Sequence, residues 1–342
     1  MDTLVRDGLV ARRRTERRWG IAALAALALG LLAGPLEGRP SQGGKVYRIG
    51  ILETVPAAQN TANLDALRTG LRDLGYVEGR NLVIEYRSAD GRAERFPALA
   101  AELVRLEVDL IVTRGTPAAR AAKDASGTIP MVMATMGDPH AIVTSLAHPG
   151  ANVTGVTTFS TELMGKRVEL LKELRPRLGR IALLHNMGNP AAPPEWDETR
   201  TAARTLGLQA ELLDVRSRDD LDHAFEVAAR HRVDALIVGF DGLTQMHERA
   251  ILGLVARSRL PAVYPAREFV EAGGLMSYAV NYPDLYLRFA RFIDRIFKGA
   301  KPSELPVEQP TRFELVISLR TARALGLTIP SSLLLRADEV IQ

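Results

Sequence analysis

The chain has 342 residues, 46% of them hydrophobic, and a formal net charge of +4. That length and apolar fraction suit two packed domains of ordinary size, while the complete lack of cysteine excludes disulfides, iron–sulfur clusters and thiolate zinc sites. The positive charge sits at the front. Residues 1–44 hold seven arginines against four carboxylates, which leaves +1 for the remainder and gives no support to a basic face that tracks nucleic-acid phosphates.

Within that front segment, Arg12 to Arg18 form a cationic stretch, and Ile21 to Ala33 form an apolar run broken only by Gly30. The run is shorter than the roughly 20 residues of a membrane-spanning helix but suits the core of a signal peptide. Export is therefore expected, with an uncleaved membrane anchor as the alternative. Pro35 follows Leu31-Leu32-Ala33-Gly34 where lipidation would need cysteine, so no lipid anchor is expected. Residues 1–44 read as signal peptide and linker, and the expected location is the periplasm.

From Val46 onward, short apolar strands alternate with amphipathic helices. The pattern predicts strand Tyr47 to Leu52, helix Asn63 to Leu74 with an apolar stripe at Leu64, Leu67 and Leu71, and strand Asn81 to Tyr86. It continues with helix Arg95 to Leu106, strand Leu110 to Thr113, helix Pro117 to Ala125, and strands Met131 to Thr135 and Asn152 to Thr157. A second, similar series follows: helix Glu162 to Leu174, strand Arg180 to His185, helix Glu195 to Leu206 and strand Gln209 to Val215. Helix Leu221 to Arg230, strand Ala235 to Phe240, helix Gln245 to Ser258, and strands Pro261 to Tyr264 and Leu275 to Val280 complete it. Strands separated by helical crossovers join in parallel, so two parallel-sheet α/β halves are indicated. A further helix, Leu285 to Lys298, a proline-rich passage and strand Phe313 to Ile317 make a tail that crosses back. The expected lobes are 45–158 with 282–312, and 159–281 with 313–342.

The tail carries the most specific pattern: Gly273-Gly274-Leu275-Met276-Ser277-Tyr278, Gly299-Ala300-Lys301-Pro302, Leu305-Pro306-Val307-Glu308-Gln309-Pro310 and Ala324-Leu325-Gly326-Leu327-Thr328-Ile329-Pro330. With Leu74-Gly75-Tyr76, Gly79-Arg80-Asn81, Gly115-Thr116-Pro117, Asp138-Pro139 and Gly150-Ala151-Asn152-Val153-Thr154-Gly155, it resembles the bacterial ABC-transporter substrate-binding family that includes tryptophan and tyrosine receptors. The resemblance spans Val46 to Ile341. It implies a type I periplasmic-binding fold, two doubly wound lobes joined by three crossovers, with ligand held between them. It also implies an ABC permease and its ATPase as partners.

Ligands of open α/β sheets bind beyond the carboxyl ends of the strands, and candidate contacts are read there. At Arg114-Gly115-Thr116-Pro117, Thr116 is expected to cap the following helix, Gly115 to let backbone approach a ligand, and the helix N-terminus to favour a carboxylate. Glu53, Thr54, Asp138, Asn186 and Asp241 end other strands, and Asp241 or Glu53 could accept an ammonium. Tyr264, Ser277 and Tyr278 offer walls for an apolar or ring-bearing side chain. No dinucleotide fingerprint, phosphate loop or nucleophile elbow occurs, and the six histidines form no metal-ligand pair. No catalysis, cofactor, metal or nucleic-acid partner is expected. The function expected is binding of a small carboxylate-bearing molecule, an amino acid or aromatic acid, by hinge closure. The membrane enters only through the permease or an uncleaved signal. The alternatives are a ligand-sensing subunit for a membrane signalling partner and a two-lobed α/β enzyme.

Overall fold

A computed structural model describes residues 45–135 and 139–342, and Val46–Gln342 form one structural unit. The signal-like segment and Asp138 lie outside the described residues.

Strands form where short aliphatic runs can be buried on both faces, as in β1 (Tyr47–Glu53), whose last five residues are all buried. The first sheet holds β1, β2 (Leu82–Ser88), β3 (Leu110–Arg114), β4 (Met131–Thr135) and β5 (Val153–Thr157) in the order β2-β1-β3-β4-β5, parallel throughout. Helices α1 (Thr61–Asp73), α2 (Phe96–Arg105) and α3 (Thr116–Ala125) connect its first four strands.

The second sheet takes the order β12-β11-β10-β9-β8-β6-β7. Its strands are β6 (Arg180–His185), β7 (Gln209–Asp214), β8 (Ala235–Val238), β9 (Ala262–Tyr264), β10 (Met276–Ala279), β11 (Glu314–Ser318) and β12 (Glu339–Ile341). All pair in parallel except β10 with β11, where Met276 faces Ile317 in antiparallel register. Helices α4 (Ser160–Leu174), α5 (Ala192–Thr205), α6 (Asp220–Arg230), α7 (Gly242–Met246), α8 (Glu248–Ser258) and α9 (Arg267–Glu271) are threaded between its strands. The chain passes between the two sheets three times: after β5, after β10, and again before β11.

The second passage leads into α10 (Tyr282–Phe297), which buries Leu285, Phe289, Phe292, Ile293 and Ile296 and packs on α1. Apolar residues recurring at three- and four-residue spacing give it one continuous greasy face. Gly70 on α1 permits the contact, since a Cβ there would lie 2.8 Å from the Ala290 Cβ. On the third passage, Glu308 bonds Gly155 and Thr157 through its backbone, so the returning segment borders β5 before entering the second sheet. Two short helices, α11 (Leu319–Leu325) and α12 (Ser331–Arg336), then lead to β12.

Two local differences from the sequence expectation have physical causes. The helix expected over Gln245 to Ser258 is divided at His247. Asp241 forms a capping box with Thr244, so a short helix starts early at Gly242 and ends before α8 begins. The antiparallel β11 was expected only as a strand, because pairing direction follows from the crossing of the tail and not from any local pattern.

Candidate functional site

The carboxyl ends of the central strands of both sheets meet across a cleft. At the end of β1, the fully buried Glu53 carboxylate is saturated. Oε1 accepts from Asn60 Nδ2 at 3.2 Å and from the Tyr286 hydroxyl, while Oε2 accepts from Thr54 N and Arg114 Nε, both at 3.0 Å. Next to it, Thr54 Oγ1 donates to Gln245 Oε1 at 2.9 Å, a bond that ties the first lobe to the second.

Arg114 ends β3 and is 2% exposed. Its guanidinium lies 5.8 Å from the Phe240 ring centre and 5.5 Å from that of Tyr282, so it is held between the second lobe and the start of α10. Burial pulls its pKa down, but Glu53, Tyr282, Glu268 and Tyr86 together, Glu53 most of all, more than reverse this and keep it charged. Only Nε is spent on Glu53; among the described residues no hydrogen bond occupies the two terminal nitrogens.

Gly115 follows with φ of +89°, a conformation that favours glycine, and it is the N-cap of α3. This corrects the expected capping role of Thr116, which is buried as the first residue of the helix and is not its N-cap.

On the opposing lobe, Asp241 accepts three bonds: Oδ1 accepts from Leu243 N at 2.8 Å and Asn186 Nδ2 at 3.2 Å, and Oδ2 accepts from Asn189 Nδ2 at 2.9 Å. Asn186 thus positions Asp241. Behind them, His185 Nε2 lies 3.0 Å from Glu195 Oε2, both fully buried, and His185 Nδ1 accepts from Asn186 N. That acceptance places the ring proton on Nε2, toward Glu195.

The two lobes enclose two spaces. A small cavity of about 20 Å³, lined by Thr54, Gly115, Pro117, Phe240 and Asp241, has room for about one water. A larger one of about 680 Å³ is lined by Asn63 and Arg114 from one lobe and Gln245, Glu268 and Phe269 from the other. The second falls in the range of small-molecule sites.

Other sequence candidates sit elsewhere. Tyr264 is 1% exposed, stacks on Phe269 at 5.2 Å, and borders a cavity built only from second-lobe residues. Ser277 is buried in β10, and the Tyr278 ring leans on Phe313 while its carbonyl accepts from the buried Arg167. Sequence reasoning missed Asn63, Gln245 and Glu268. Glu268 lies four residues beyond β9, within reach of the same strand-end rule; Asn63 faces the cleft from inside a helix, and no pattern marks it.

A family model described as ABC transporter substrate binding protein matches residues 48–341, nearly the whole described unit. The chain belongs to this ABC transporter substrate-binding family. Family membership makes it a solute-binding protein, and the fold is that of type I periplasmic binding proteins. Among relatives, a tyrosine-binding protein of Clostridioides difficile is 24% identical over 297 residues, covering 85% of this chain and 84% of that protein. A conserved domain protein of Vibrio cholerae superposes with a TM-score of 0.81 at 27% identity, covering 86% of this chain and all of its own. An ABC domain of Streptococcus pneumoniae in complex with L-Trp gives a TM-score of 0.80 at 29% identity, covering 86% of this chain and 99% of that one. Among the described residues of this family member no helix is long and apolar enough to cross a membrane.

Proposed function

We propose that this chain is the extracytoplasmic receptor of an ABC importer, and that it binds a small carboxylate-bearing solute of the amino-acid or aromatic-acid class between lobes that close by hinge motion. The lobes in this reading are 45–158 with 282–312, and 159–281 with 313–342. The carrying observation is the large interlobe cavity, which has a charged, buried Arg114 on its wall and a direct bond from Thr54 to Gln245 spanning the lobes. An arginine fork is the side chain best matched to a carboxylate, and both the relative named for tyrosine and the solved complex with L-Trp favour an amino acid. Thr54, Gly115 and Asp241 frame the narrow end of the cleft. The arginine-led apolar run at the front of the sequence supports export, and an exported receptor passes its ligand to a permease driven by an ATPase.

Calorimetric titration of the protein with the twenty amino acids tests the ligand class. Saturable binding of L-tryptophan, L-tyrosine or a related acid is expected, with a smaller radius of gyration in small-angle scattering once the ligand is bound. Failure to bind any of them, or binding with no change in shape, contradicts the reading.

A further inference from the structure

A ligand bearing both a carboxylate and an ammonium needs donors and acceptors not already used by the protein. The two acids that strand-end reasoning favours are mostly engaged by the fold itself. Four donors on Glu53 fill the capacity of about four of a carboxylate, and three on Asp241 leave it one position.

The larger cavity is different. Two acceptor oxygens on its wall are buried with no partner among the described residues, and the buried Arg114 stands on the same wall. Arg114 lines this cavity and uses Nε on Glu53, and among the described residues neither of its terminal nitrogens makes a hydrogen bond. Glu268 Oε2 is buried with no partner, and so is Asn63 Oδ1. The free oxygen of Asn63 is fixed by a relay. Asn63 Nδ2 donates to Asn60 Oδ1 at 2.7 Å, and Asn60 Nδ2 donates onward to Glu53, so turning the Asn63 amide over would break the chain. Buried polar groups are nearly always paired, so an unpaired one is unfavourable. Two such acceptors beside a cationic donor on one cavity wall are complementary to a zwitterion.

We infer that this chamber grips the charged head of an α-amino acid, with the outer edge of the Arg114 guanidinium on its carboxylate and the free oxygens of Glu268 and Asn63 on its ammonium. Val55, Ala266 and Phe269 supply an apolar wall for the side chain. The inference rests on the amino-acid reading above and adds to it the residues that choose the head group. It also places recognition in the wide chamber, since the narrow cavity beside Asp241 is too small for an amino acid.

The test is calorimetric titration of the intact protein with three probes: L-tryptophan, tryptamine, which lacks the carboxylate, and indole-3-propionate, which lacks the ammonium. The parent protein is expected to bind L-tryptophan at least ten-fold more tightly than either. Glu268→Gln should weaken L-tryptophan and tryptamine by about ten-fold or more while leaving indole-3-propionate unchanged, as expected for loss of one charged hydrogen bond. Arg114→Lys keeps a cation toward Glu53 but removes the fork, and should weaken L-tryptophan and indole-3-propionate while sparing tryptamine. A Glu268→Gln protein that retains the parent's affinities for all three probes overturns the head-group assignment and leaves the amino-acid reading standing. A parent protein that binds none of the twenty amino acids overturns both.

Discussion

The two ends of the interlobe cleft are built from similar residues but in opposite states of satisfaction. At the narrow end Asp241 is ringed by Leu243, Asn186 and Asn189, and its carboxylate caps α7. At the wide end Glu268 and Asn63 each bury an oxygen without a partner, and Arg114 lines the cavity with terminal nitrogens that make no hydrogen bond among the described residues. The contrast shows that an acid at a strand end is not by itself a binding group. What separates a structural carboxylate from a recognising one is whether the fold has already filled its lone pairs. Asp241 holds the second lobe together, whereas Glu268 waits for a ligand.

Substitutions can break this contrast. The largest effect is expected at Arg114, which serves both the fold and the site. Arg114→Met strands the Glu53 carboxylate in a fully buried position, and breaking a buried pair in this way costs about 3 kcal/mol or more. Urea unfolding should show that loss; a change below about 1 kcal/mol would mean that Asn60, Thr54 and Tyr286 suffice to hold Glu53.

Asp241→Ala removes a helix cap and strips a partner from the buried Asn189 amide and the half-buried Asn186 amide, so stability should fall by about 1 to 2 kcal/mol. Affinity for L-tryptophan should change by less than about three-fold. A large loss of affinity with unchanged stability would reverse the roles assigned to the two ends.

Much of the fold was legible because each strand and helix carries its own period. β4 and β6 match their expected bounds, and α1, α2 and α3 differ by one or two residues at their ends. Local pattern did not reveal what depends on distant partners. β11 runs antiparallel because of where the tail re-enters, and α11, α12 and β12 are too short to leave a periodic trace. The site was legible to the level of its strand ends. Arg114, Thr54, Gly115 and Asp241 line the cleft, yet nothing in the sequence tells that Asp241 is mostly engaged by the fold's own donors or that Glu268 keeps a buried oxygen without a partner. Tyr264 and Ser277 failed as wall residues because both point into the packing of the second lobe.

A smaller effect is expected at the bond between the lobes. Thr54→Val removes the hydroxyl that reaches Gln245 with little change in volume, which weakens the closed form by about 0.5 to 1.5 kcal/mol. Scattering from the empty protein should then give a larger radius of gyration than the parent, and an unchanged value would show that the bond does not hold the lobes together.

The smallest effect has a diagnostic sign. Burial raises the Glu268 carboxyl pKa, with its own backbone N–H and then the nearby Arg114 only partly offsetting it. A carboxyl whose pKa is raised by folding favours the folded state below the ordinary carboxylate range, and that contribution is lost as pH rises through the folded value. The ionised form therefore slightly destabilises the empty protein at neutral pH. Glu268→Gln should raise stability there by a few tenths of a kcal/mol and flatten its decline between acid and neutral pH, the reverse of what loss of a structural residue does. Thermal unfolding across that pH range reads both.

The most direct measurement is a crystal structure of the protein grown with L-tryptophan. The account predicts the ligand in the wide chamber, its carboxylate within hydrogen-bonding distance of the terminal nitrogens of Arg114 and its ammonium on Glu268 Oε2 and Asn63 Oδ1. A ligand whose carboxylate lies on the first turn of α3 at Thr116 and whose ammonium rests on Asp241, with Glu268 still unpaired, would contradict it.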